Sequence, residues 1–120
     1  MDLNRKKVIL IPESVLTDGG GLTDLRLRRD ILDRIRNMNV QRVAIILSES
    51  EDKDYISRVK TMEFFVFSYC KTAVSSHHRN DTLLEEITAS LPHGLRKREC
   101  FLFVGEKFPG IDHISVEDFL

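Results

Sequence analysis

Between Lys6-Lys7 and Pro12 stands Val8-Ile9-Leu10-Ile11, four aliphatic residues with no polar position among them. A strand with one face in water alternates apolar and polar side chains. A run without alternation has to be buried on both faces, as in a parallel sheet covered by helices. Arg42-Val43-Ala44-Ile45-Ile46-Leu47 repeats the pattern as a second strand, and Cys100-Phe101-Leu102-Phe103-Val104, ended by Gly105, repeats it again. Glu63-Phe64-Phe65-Val66-Phe67-Ser68 is rich in aromatic and branched residues and reads as the third strand. Cys100 to Val104 then becomes the fourth, and Asp112-His113-Ile114 a short fifth.

Helical patterns fill the intervals. From Leu25 to Met38 the apolar residues Leu25, Ile31, Leu32, Ile35 and Met38 recur at helical spacing, with Arg26, Arg29, Asp30, Asp33 and Arg34 on the remaining surface. Arg26 with Asp30, Arg29 with Asp33 and Asp30 with Arg34 are four apart, so each pair contributes about 0.2 to 0.5 kcal/mol and no ligand is needed to explain these arginines. Ser48-Glu49-Ser50-Glu51-Asp52 supplies caps and first-turn acids for a helix over about Asp52 to Thr61. Thr82-Leu83-Leu84-Glu85 has the form of a capping box opening a helix to about Ser90, closed by Pro92 and Gly94. Ser115 caps a final turn carrying Phe119 and Leu120. Strands alternating with helices predict right-handed crossovers and an α/β fold: a three-layer, doubly wound, Rossmann-like parallel sheet of about five strands.

The chain's 120 residues suit a single domain, residues 1–120, with one core. Apolar residues make up 42% and charged residues 31%, the balance of a globular chain rather than a disordered one. The 18 basic and 19 acidic side chains nearly cancel, which argues against nucleic acid or an anionic membrane as the main partner. The basic residues near the start precede an apolar run too short for a signal peptide, and no run approaches the length of a membrane span. The expectation is a cytoplasmic protein in which Cys70 and Cys100 are reduced thiols.

In a doubly wound sheet, ligands bind beyond the carboxyl ends of the strands. The predicted strands direct attention to four loops: Pro12 to Gly21, Leu47 to Asp52, Tyr69 to Lys71, and Gly105 to Gly110. There the sequence carries Pro12-Glu13-Ser14-Val15-Leu16-Thr17-Asp18-Gly19 after the first strand, Ser48 after the second, His77-His78-Arg79-Asn80-Asp81 before the capping box, and Gly105-Glu106 after the fourth. These segments, over nearly the whole chain, resemble the haloacid dehalogenase superfamily, and most of all its small phosphatases without a cap domain, including sugar-acid and polynucleotide phosphatases.

The resemblance implies a site for phosphoryl transfer. In that family an aspartate at the end of the first strand attacks phosphorus, a second acts as general acid and base, and both surround a magnesium ion. Aligning Val15-Leu16-Thr17 with the family's motif puts Ile11 at the nucleophile and Glu13 at the acid/base position, and a shift of one residue puts Pro12 at the nucleophile. Neither Ile11 nor Pro12 can attack phosphorus. Ser48 lies one residue beyond the family's phosphate-holding hydroxyl, Arg79 is the cation nearest its lysine, and Glu106 stands where it has a magnesium-binding aspartate. Glu13 and Glu106 are thus the implied metal ligands, and magnesium the implied cofactor. Asp18-Gly19-Gly20-Gly21-Leu22-Thr23 suits the family's flap, a small hairpin after the first strand.

Other features have plainer explanations. The spacing of His77, His78, His93 and Cys70 fits no compact zinc pattern. Phe64, Phe65, Phe67, Phe101 and Phe103 read as core side chains, and Arg96-Lys97-Arg98 as a solvated loop. Three readings of function remain open. The chain is a phosphatase-fold pseudoenzyme that binds a phosphorylated ligand or a protein partner; or a divergent magnesium-dependent phosphomonoester hydrolase using Glu13 and Glu106; or a structural subunit, for which the resemblance implies a homo-oligomer joined through the flap.

Overall fold

A computed structural model describes residues 2–18, 25–47 and 53–120. Its central strand β1 (Val8–Pro12) is flanked by β2 (Arg42–Leu47) on one side and β4 (Phe101–Val104) on the other. Outside these lie β3 (Ala73–His78) and β5 (Asp112–Ile114), giving five strands in the order β3-β2-β1-β4-β5, every pair parallel. The register sets Ile9 beside Val43 and Leu102, and Leu10 beside Ala44 and Phe103.

Both faces of the sheet are covered, as the unbroken apolar runs require. Ile9, Ile11, Val43, Ile45, Leu102 and Val104 face helices α2 (Arg29–Asn37), α3 (Lys53–Cys70) and α5 (Val116–Phe119). Val8, Leu10, Ala44, Ile46, Phe101 and Phe103 face α4 (Leu83–Ser90). Val8 to Ile11 have no solvent exposure at all. The Ser115 side chain caps α5, accepting a hydrogen bond from the Asp118 amide. No described helix is long and apolar enough to cross a membrane.

Three local expectations need correction. Glu63 to Ser68 is not a strand: it lies inside α3, which runs unbroken from Lys53 to Cys70. The buried residues Val59, Met62, Val66 and Cys70 recur every three or four positions, so helical packing overrides the strand propensity of the phenylalanines. Phe64, Phe65 and Phe67 consequently lie outside the core and exposed, whereas Phe101 and Phe103 are buried as expected. The third strand is instead Ala73-Val74-Ser75-Ser76-His77-His78, half-covered at the sheet's edge. The helix expected from Leu25 begins only at Arg29, because Leu27 is taken up in an antiparallel bridge to Thr17. Asp30 there pairs with Arg28, two residues away. The capping box before α4 does not form either: the Asn80 carboxamide oxygen accepts from the Thr82 amide, and the Thr82 hydroxyl donates to Glu86.

At the amino ends of the strands, Lys6 is 3% exposed, and its ammonium donates to the Asp112 carboxylate at 2.6 Å and the Glu99 carbonyl at 2.8 Å. It thereby joins the central strand to β5. This hydrogen bond holds the Asp112 carboxyl below its ordinary value. A carboxyl with a depressed folded pKa contributes stability above its unfolded value, near 3.9, and loses it as the pH falls through the folded one. Urea midpoints should therefore drop between pH 5 and pH 2.5, and Asp112→Asn should narrow that drop while lowering the midpoint at pH 7.

Candidate functional site

The chain leaves β1 for β2 on one side of the sheet and returns to β4 on the other, so the strand order reverses between β1 and β4. The two connections diverge there and leave a crevice beyond the strands' carboxyl ends. A cleft of about 580 Å³ occupies it, bordered by Pro12, Glu13, Ile46, Leu47, Arg79 and Glu106. Three of the four loops expected to converge are thus represented. Tyr69 to Lys71 is not one of them: it ends α3 and leads into the start of β3, at the amino ends of the strands. Its place is taken by the residues after His78, which deliver Arg79.

Pro12 closes β1 and cannot continue a helix backwards, and the chain turns at once into the short helix α1 (Glu13–Leu16). Glu13 is the first residue of that turn and only 6% exposed. Its carboxylate accepts a hydrogen bond from the Arg58 guanidinium of α3, which also lies 5.4 Å from the Tyr55 ring. On the other side, Gly105 has φ of +108°, and a Cβ there would meet a Val15 methyl at 3.0 Å. Glycine therefore lets the end of β4 turn tightly against α1. The next residue, Glu106, is paired with Arg79. Arg79 is itself held over two aromatic rings, 5.7 Å from Phe103 and 5.9 Å from Phe108, which stack on each other at 5.0 Å.

The site therefore holds two carboxylates, each clamped by its own guanidinium. Magnesium requires about six oxygen donors at near-octahedral geometry. Glu13 and Glu106 each give one oxygen to an arginine instead, and among the described residues no group of three or more Asp, Glu, His or Cys is gathered to hold a metal. Ile11, which the sequence resemblance set against a nucleophile, is fully buried in the core. Comparison with protein-family models, with curated proteins and with solved structures finds no match to this chain. What the site can do thus rests on its own geometry.

Of the residues singled out in the sequence, Glu13, Arg79 and Glu106 share the cleft, while Ser48 lies outside the described residues. Where a flap was expected, Thr17 and Leu27 form an antiparallel bridge and the Asp18 amide donates to the Arg26 carbonyl at 3.1 Å; the glycines expected in it, Gly19 to Gly21, lie outside the described residues too. Cys70 and Cys100 are free thiols, and burial pushes the Cys70 thiol up to about 11, which does not suit a nucleophile. Arg58 was not legible as a site residue. Its only signal is indirect: a glutamate buried at the end of a strand requires a cation.

Removing one partner of a buried pair strands the other's charge. Arg58→Leu should cost on the order of 3 kcal/mol in chemical denaturation, and adding Glu13→Leu should recover part of that loss. Gly105→Ala should cost roughly 1 to 3 kcal/mol from the positive φ and the Val15 contact. In native protein at pH 8, Cys70 should alkylate far more slowly than a free cysteine peptide.

Proposed function

We propose that this chain is a binding domain of the haloacid dehalogenase type that has lost the aspartyl-phosphate reaction. The observation that carries the reading is the end of β1. Ile11, fully buried, and Pro12 stand where an attacking carboxylate is required, and neither side chain offers a lone pair to phosphorus. The strand order β3-β2-β1-β4-β5 and the hairpin base after β1 support the resemblance in fold. The clamping of Glu13 by Arg58 and of Glu106 by Arg79 supports the loss of chemistry, because a general base engaged by a guanidinium is weakened and a metal site so occupied is blocked.

What remains is a cleft at the reversal point of the sheet with a charge-balanced rim and the apolar side chains of Pro12, Val15, Ile46 and Leu47. It is suited to hold a small phosphorylated ligand or a segment of a protein partner, the anion meeting Arg79. The hydrolase reading draws on one fact, that Glu13 and Glu106 border the same cleft.

A panel of phosphomonoesters assayed with magnesium separates the two. The binding reading predicts turnover no greater than the buffer blank. Magnesium-dependent turnover that Glu13→Ala and Glu106→Ala both abolish would establish the hydrolase instead.

A further inference from the structure

The two edges of the sheet are built differently. β5 is three residues long and carries Asp112, already paired with Lys6, so this edge is short and charged, two features that discourage strand addition. β3 is six residues long and contains no Lys, Arg, Asp, Glu, Pro or Gly, and among the described residues it pairs with β2 alone. Its outer edge lacks the devices that protect a lone strand.

Beside that edge runs an apolar stripe on α3. Ile56, Lys60, Phe64 and Phe67 follow one another at helical spacing, and Ile56, Phe64 and Phe67 are 45%, 66% and 58% exposed. The Ser76 hydroxyl donates to the Glu63 carboxylate, which fixes this side of α3 toward β3 and brings the middle of the helix level with the middle of the strand. Phe65 belongs elsewhere, in a cleft with Leu25, Leu27 and Tyr69 at the base of the hairpin. The three stripe side chains expose roughly 300 Å² of apolar surface, as much as the largest patch on many monomers.

We propose that β3 and α3 together bind a second copy of this chain across a two-fold axis perpendicular to the sheet. That axis pairs β3 with the partner's β3 in antiparallel fashion, extending the sheet to twice its width, and keeps both α3 helices on one face, side by side and antiparallel. The charges favour a copy of the same chain over a different partner. Lys60 and Glu63 lie symmetrically about the middle of α3, so the axis sets Lys60 against the partner's Glu63 twice over. Ile56 and Phe67 are symmetric about the same point, so Phe67 meets the partner's Ile56, at the mouth of the groove lined by Ile56, Val59, Glu63 and Ser76. The helix spans about 27 Å and the helix-over-strand face is about 20 Å deep, a flat footprint of about 540 Å², two-thirds of the roughly 800 Å² per partner of a standard interface. The groove shares Leu47 and Arg79 with the cleft, but the proposed interface rests on β3 and on Ile56, Lys60, Glu63 and Phe67, none of which borders the cleft.

Sedimentation equilibrium of the whole chain should give twice the monomer mass at tens of micromolar. Phe67→Asp, at an exposed position, should weaken association roughly 30-fold or more while leaving the circular dichroism spectrum unchanged. Lys60→Glu alone and Glu63→Lys alone should each weaken the dimer by repulsion, and an equimolar mixture of the two should recover it as a heterodimer in which both pairs are attractive. A monomeric wild-type chain overturns the proposal, as does a dimer indifferent to Phe67→Asp or variants that fail to complement on mixing.

Discussion

The structure depends on β1 being buried on both faces. Val8 to Ile11 have no solvent exposure, and four consecutive apolar side chains point alternately up and down. Helices are therefore needed above and below, and parallel neighbours on either side, β2 and β4, complete the enclosure. Once β1 is central, its carboxyl end is where the two halves of the sheet diverge. The cleft follows from that topology before any polar residue is considered.

What fills the cleft follows from the same burial. Glu13 comes at the first turn after a buried strand, so its carboxylate is drawn out of water and requires a cation. Arg58 of α3 supplies it. Across the cleft Glu106 follows a glycine turn that only fits because position 105 has no Cβ, and Arg79, propped on Phe103 and Phe108, meets it. The result is a charge-neutral pair of clamps bordering the cleft. The buried Glu13 makes its pair costly to break by removing one member, whereas the half-exposed Arg79–Glu106 pair is worth about 0 to 1 kcal/mol.

The sequence was legible where burial is complete and opaque where it is partial. β1, β2, β4 and β5 were each marked by composition or by flanking turn residues, and Ser115 named its own cap. The error was α3. Phe64, Phe65 and Phe67 carry the strand propensity, but the weaker pattern of Val59, Met62, Val66 and Cys70 decides the packing. The true β3, with Ser75, Ser76, His77 and His78, has an edge strand's polarity and no hydrophobic signal to find. Exposed phenylalanines on a helix are thus the visible remainder of that misreading. Motif position singled out Glu13, Arg79 and Glu106, which the fold brings to one cleft, whereas Arg58 was hidden because its contact with Glu13 lies 45 residues away in the chain.

Arginines engage both carboxylates of the cleft, Glu13 after β1 and Glu106 after β4, and we propose that no metal takes their place. A crystal structure of the protein grown with magnesium and a phosphate-mimicking metal fluoride tests it most directly. The expected result is Glu13 still bound to Arg58 and Glu106 to Arg79, with no magnesium between the carboxylates. Magnesium coordinated by Glu13 and Glu106, with both guanidiniums turned away, would contradict it.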